Sequence, residues 1–299
     1  MESWIYFVLV AELIWAFTSL FDKILLSKGQ IKSPFVFIVF NGLMNVLLIL
    51  LLPFLDFEPL KIFDLLVVLL AGLLLSAGVI FYYKAVQHEE ISRVLMLWQL
   101  IPIFVLIMSF LFLNEELTKN NFIGFLFLLA AGMIVLYKKI NGSLELSKAF
   151  YYMIGSTLLI STYYVMSKYI YKVTSFWSAF MWLRLAAFAG LFVLFIPSIR
   201  KQLIGTVKNM KSSMKALLGF KMVIDFSAFI FLGYAILNGP ISLVSALGSA
   251  SAPVFIFIIT LFTSIYLPHI VKEEISKKSI LTKISAIILI IIGIVFVNS

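Results

Sequence analysis

Glu12 lies in the middle of an apolar segment, residues 4–26, and a carboxylate there requires a physical explanation. A charge near the centre of a membrane-spanning helix costs about 2.5–3.5 kcal/mol on insertion scales, and such residues mark transport or proton pathways. No basic residue lies one helical turn from Glu12, whose face continues through Ala16, Ser19 and Lys23. The carboxylate must therefore find its partner on another helix, in water or in a substrate, which indicates a proton or amine site.

Further polar residues lie within other apolar segments. Arg184 has no acidic residue within its own segment, whereas Lys221 and Asp225 are four residues apart and can pair on one helical face. With Glu12 and Asp225 ionised against Arg184 and Lys221, a shared cavity is neutral and suits a zwitterion, and a protonated Glu12 favours an anion. We expect the substrate or proton cavity to contain six residues: Glu12, Asn41, Gln99, Arg184, Lys221 and Asp225.

These polar residues also have structural interpretations. Asn41, with Asn45 on the same face, can bond neighbouring helices, and Lys221 with Asp225 can be a purely structural ion pair. Three lysines near segment ends are expected to extend their side chains to the membrane surface: Lys23, Lys84 and Lys168. Two glutamates in turns are expected to cap helices: Glu115 and Glu273.

The composition places these residues in a membrane protein. The chain has 299 residues, of which 63% are hydrophobic and 12% charged, too few charges to cover a soluble domain. It contains no cysteine, which excludes disulfides and cysteine-ligated metals. The net charge of +9 comes from basic residues between apolar segments, a pattern typical of the membrane surface rather than of nucleic-acid binding.

A window of about 20 residues predicts an all-α membrane protein with ten transmembrane helices, because backbone groups in lipid must bond within their own helix. The connection 198–215 is long enough for one additional short element. The predicted helices are residues 4–26, 34–55, 63–83, 94–113, 122–137, 149–171, 176–197, 216–237, 241–267 and 280–297.

The two halves of the chain repeat each other. The segment KAVQHEEISRV aligns with YAILNGPISLV, Pro102 with Pro253, and Gly132 with Gly293. Each copy, 1–140 and 149–299, holds five predicted helices, and an odd number makes the second copy enter the membrane from the opposite side. Such inverted repeats are typical of alternating-access transporters that bind substrate near the membrane midplane.

The repeated residues resemble the EamA-type module of the drug/metabolite transporter superfamily. The resemblance rests in the first copy on Ala85, Ser92, Pro102, the turn Asn-Glu-Glu-Leu-Thr at 114–118, Gly124 and Gly132. Asn114 stands where the family has glycine. The second copy keeps Ala235, Ser242, Pro253, Glu273 and Gly293. The resemblance implies a transporter but no substrate, since the superfamily moves amino acids, nucleotide sugars, phosphorylated sugars, choline and drugs.

The pair Ala11-Glu12 is similar to the Ala-Glu in the first helix of small multidrug resistance proteins, distant members of the same superfamily. Their glutamate exchanges a proton for substrate, and the resemblance implies the same exchange at Glu12.

The sequence therefore predicts a multi-pass secondary transporter of the cell membrane that moves a small polar metabolite, an amino acid or similar zwitterion, and that could be coupled to protons. We expect a monomer with no cofactor or metal. A lipid-linked-sugar flippase, or an exchanger of sugar phosphates or nucleotide sugars, would have the same fold and is the alternative. An enzyme is not expected, because His88 and His269 lie in different copies without ligand spacing.

The distribution of basic residues predicts the orientation. The odd-numbered connections carry 15 lysines and arginines, whereas connections 2, 4 and 6 carry three. By the positive-inside rule, the odd connections face the cytoplasm and both termini lie outside. A cysteine added after Ser299 of this cysteine-free chain should react with an impermeant thiol reagent in intact cells. If the cysteine is protected from the reagent, the predicted orientation is wrong and the termini lie in the cytoplasm.

Overall fold

The computed structural model describes residues 2–27, 34–55, 57–88, 97–136, 148–266 and 277–298, and these ranges are helical apart from turns and short connections, with no strand. Two 3-10 helices, Leu48–Phe54 and Ala187–Phe195, directly follow two of the α-helices. The α-helices are α1 (Ser3–Ser27), α2 (Pro34–Leu47), α3 (Ile62–His88), α4 (Leu100–Leu113), α5 (Lys119–Leu136), α6 (Lys148–Val173), α7 (Phe176–Ala186), α8 (Pro197–Asn209), α9 (Ser212–Asn238), α10 (Ile241–Tyr266) and α11 (Lys277–Val297).

The all-helical membrane class predicted from the sequence is confirmed, while the number of ten spans stays a prediction. Shorter apolar helices cover Leu100–Leu113, Lys119–Ile134 and Lys283–Val297. Judged on the described residues alone, five segments are long and apolar enough to cross a membrane: Ser3–Asp22, Ile62–Ala85, Phe176–Phe195, Ser212–Asn238 and Ile241–Ser264.

Several helix ends follow from single residues. Asn114 ends α4 in the left-handed region at φ 50°, a conformation that asparagine tolerates better than most residues, so it can replace the glycine of the family turn. Pro197 begins α8, the additional element predicted in the long connection, at the position where its missing N–H is not needed. Pro240 separates α9 from α10 because it cannot continue a helix.

The first helix of each half packs mainly against helices of the other half. Helix α1 lies along α9 and α10, whereas α6 lies along α3 and α4. The long helices therefore form two groups, the α1–α9–α10 group and the α3–α4–α6 group. Helix α5 packs along α11, and α2 packs on the 3-10 helix Ala187–Phe195.

Close helix packing should make Gly72 sensitive to a single added methyl group. A Cβ at Gly72 of α3 would collide with the backbone carbonyl of Ala186, whereas a Cβ at Gly219 of α9 would meet nothing within 4 Å. Overpacking costs about 1–3 kcal/mol, so Gly72→Ala should lower the thermal unfolding temperature in detergent. Gly219→Ala is the matched control and should unfold like the parent. Equal unfolding temperatures for the two variants would contradict this packing.

Candidate functional site

Two adjoining cavities lie between the helices, with volumes of about 770 Å³ and about 270 Å³. We name the larger one the Glu12 cavity and the smaller one the Arg184 cavity, after a charged residue that lines each. Four of the predicted site residues are thus divided between two neighbouring cavities rather than collected in one: Glu12 and Gln99 line the larger cavity, and Arg184 and Asp225 line the smaller one. The cavities share four lining residues, which form a largely aromatic wall: Trp15, Trp98, Tyr164 and Leu232.

Glu12 extends from α1 toward α10 and is half-buried. A Cβ at Gly248 would lie 2.9 Å from the Glu12 Oε1 atom, so the glycine at this position makes room for the carboxylate. Within the described ranges, no ion pair or hydrogen bond satisfies the Glu12 carboxylate. A carboxylate held beside a cavity in this way is available to a proton or to a cationic group of a substrate.

Gln99 lines the same cavity, from the turn immediately before α4 rather than from within the predicted fourth helix. Its Nε2 donates to the carbonyl of Ser249, at 3.0 Å, while its buried Oε1 has no hydrogen-bond partner among the described residues. Lys283 of α11 also lines the Glu12 cavity, with its Nζ 3.0 Å from the centre of the Phe257 ring. Lys283 was not among the predicted site residues.

Arg184 lines the smaller cavity from α7 and is only 6% exposed. Its Nη2 donates to the hydroxyl of Tyr163, at 2.6 Å, and the guanidinium carbon lies 4.1 Å from the centre of the Phe229 ring. In the part of the chain that the structure describes, no carboxylate forms an ion pair with Arg184. A buried guanidinium of this kind, which has five N–H donors in a planar fork, suits a carboxylate or phosphate.

Asp225 lines the Arg184 cavity and belongs to a buried charge cluster between α9 and α1. It forms the predicted ion pair with Lys221, four residues earlier. Asp22 of α1 also approaches Lys221, with 3.4 Å between Oδ1 and Nζ, and the Thr18 hydroxyl donates to Asp225 at 2.6 Å. Two carboxylates thus share one ammonium group. The neutral balance of four charges predicted from the sequence is incomplete, because it omitted Asp22 and Lys283.

The spacing of Asp22 and Thr18 is itself a signal in the sequence. They are four residues apart, so they lie on one face of α1, a different face from that of Glu12. Asn41 is placed in α2, but its side chain lies outside what the structure describes, as does that of Lys23. Asn45, predicted to share a helix face with Asn41, lines the Arg184 cavity.

The prediction that Lys168 extends to the membrane surface is wrong. Lys168 is 6% exposed, and its Nζ donates to three backbone carbonyls at the end of α9, those of Ile236 at 2.6 Å, Leu237 at 2.9 Å and Gly239 at 2.8 Å. These carbonyls take the place of the water molecules that normally hydrate a lysine ammonium group. The prediction that Glu115 caps a helix is confirmed, since its carboxylate binds the first N–H groups of α10.

Comparisons with known proteins agree with this helical architecture. Residues 2–137 match the model of the EamA-like transporter family, which confirms the resemblance for this part of the chain. A solved structure titled "Crystal structure of protein" matches with a TM-score of 0.68 and 17% identity, over 98% of this chain and 96% of that chain. At that identity the match shows the fold alone. No significant match is found among curated proteins.

Removing the ammonium group of the charge cluster should destabilise the fold more than removing the ammonium group together with one carboxylate charge. Lys221→Met removes the ammonium group that Asp225 and Asp22 share, and breaking a buried ion pair from one side costs about 3–5 kcal/mol. The variant should therefore unfold at a lower temperature in detergent, and adding Asp225→Asn should restore part of the loss. The control is Lys215→Met, at an exposed position of the same helix. If Lys221→Met is as stable as this control, the cluster does not stabilise the fold.

Proposed function

Because residues 2–137 match the model of the EamA-like transporter family, we propose that the protein is a secondary transporter for a small polar metabolite, an amino acid or a similar zwitterion, in the cell membrane. One observation carries the proposal. Glu12 and Arg184 line adjoining cavities, and within the described residues neither has an ion-pair partner. Each can therefore bind a group of opposite charge on a substrate.

Arg184 provides the site for the anionic group. Its contacts with Tyr163 and Phe229 orient the guanidinium and remove water from it, which strengthens a charge-assisted hydrogen bond to a carboxylate. A phosphate would fit the same donors, which is why an exchanger of sugar phosphates is the alternative. The Arg184 cavity of about 270 Å³ lies at the small end of ligand pockets and favours a small metabolite over a nucleotide sugar.

Glu12 provides the site for a proton or for the substrate amine. Binding of the amine and binding of the proton exclude each other at one carboxylate, so substrate release and proton uptake are coupled there. The aromatic wall of Trp15, Trp98 and Tyr164 separates this site from Arg184, and a substrate must pass or displace it to move between the two cavities.

We further propose that the ten predicted helices form two inverted repeats, 1–140 and 149–299, that work by alternating access. The packing of α1 and of α6, each against helices of the other half, supports this arrangement. A two-fold relation between the halves would map the packing of α1 on α9 and α10 onto the packing of α6 on α3 and α4. The cavities lie where the two halves meet, the usual place of a transported substrate in such folds.

Substitution of the two charges tests the proposal. Glu12→Gln keeps size and hydrogen bonding but removes the titrating group, so it should abolish proton-linked uptake and leave exchange intact. Arg184→Lys replaces the planar fork with a point charge and should weaken substrate affinity about tenfold or more. The measurement is counterflow of labelled amino acids and related metabolites in proteoliposomes, over a range of internal and external pH.

Matched controls are available at exposed positions. Glu116→Gln and Arg200→Lys make the same chemical changes away from the cavities and should transport like the parent. If Glu12→Gln and Arg184→Lys fold normally and transport with the parent's affinity and pH dependence, the two charges are structural and this assignment fails.

A further inference from the structure

Lys168 binds the end of α9 from the neighbouring helix α6. The last carbonyls of an α-helix have no partner within the helix and carry its partial negative charge. An ammonium group has three N–H donors, and each can be assigned to one of the carbonyls of Ile236, Leu237 and Gly239. Lys168 therefore binds two of the last carbonyls of α9 and the carbonyl of Gly239 directly after it, while it remains buried.

Glu115 binds the start of α10 in the complementary way. Its carboxylate accepts hydrogen bonds from the N–H groups of Ile241, at 2.8 Å, and Ser242, at 3.1 Å, and from the Ser242 hydroxyl at 2.5 Å. These N–H groups are unpaired at a helix start and carry partial positive charge. The Ser109 hydroxyl, 3.3 Å from Glu115, donates to the same carboxylate.

The two caps meet at one short break, residues 238–240, and both cross between the helix groups. Lys168 belongs to α6 and Glu115 follows α4, so both are attached to the α3–α4–α6 group, whereas α9 and α10 belong to the other group. Trp4 of α1 packs against the break at Gly239, where a Cβ would collide with the indole ring. The Gln99 hydrogen bond to the Ser249 carbonyl also crosses between the groups, beside the Glu12 cavity, whereas the bonds from Ser156 to Gly78 and from Thr18 to Asp225 each stay within one group.

We propose that Lys168 and Glu115 form a gate that closes the cavities at this end of the molecule and that opens by releasing the α9–α10 break. This inference rests on the proposed alternating access. The two helix groups cannot separate here unless both caps break. Since a partly satisfied buried network is less stable than either a complete or a hydrated one, the caps release together. The structure shows the closed state of this gate.

The test measures a distance across the gate and needs no substrate. Cysteines at the exposed positions Val173, at the end of α6, and Asn238, at the end of α9, carry spin labels in a chain that has no other cysteine. Pulsed electron spin resonance then gives the distance distribution. The parent should show mainly the short, closed distance. Lys168→Met and Glu115→Gln should each raise the ratio of long to short distances about tenfold or more.

Exposed neighbours supply matched controls for the same charge changes. Lys172→Met and Glu116→Gln should keep the parent's distribution. If Lys168→Met does not fold, Glu115→Gln and Ser242→Ala decide the question by the same measurement. Unchanged distances in the folded gate variants would overturn the gate. A shifted distance in a protein that moves no metabolite would support the gate while rejecting the proposed substrate transport.

Discussion

A charge enclosed by lipid and helices is stable only where another group replaces its lost water, and this constraint orders the polar residues of the molecule. Lys168 and Glu115 are satisfied by helix ends, and Lys221 by carboxylates on two helices. Glu12 and Arg184 differ, because both border cavities and lack an ion-pair partner in the described structure. Under the proposed function, a substrate or a proton supplies the partner charge that these two residues lack among the described residues.

Helix positions could be predicted from the sequence because hydropathy depends on the local chain. The predicted segment 63–83 lies inside α3, and 149–171 inside α6. Partners across helices were harder to predict. The acceptors of Lys168 are backbone carbonyls, and no residue type in the sequence reveals a backbone acceptor. Their position beside Lys168 depends on how the first helix of each half packs against the other half. Asp22 became part of the cluster because α1 packs on α9, a contact between opposite halves of the chain.

The candidate site shows the same division between local and long-range information. Glu12 and Arg184 could be singled out from residue type and surroundings alone. Their placement in two cavities depends on Tyr164 and on two tryptophans, Trp15 and Trp98, that read in the sequence as ordinary apolar residues. An aromatic ring serves equally well in a core or as a partition, so the sequence could not distinguish these uses.

The packing of α1 against helices of the other half also constrains how the chain folds during its synthesis. Helix α1 ends at Ser27, but its partner α9 begins only at Ser212, so α1 leaves the ribosome long before its packing surface exists. Until then its polar face, with the buried Thr18 and the partly exposed Asp22, must be covered by lipid, by water or by the insertion machinery. The first helix of each half packs against helices of the other half. The two halves therefore reach their native packing only as one cooperative unit.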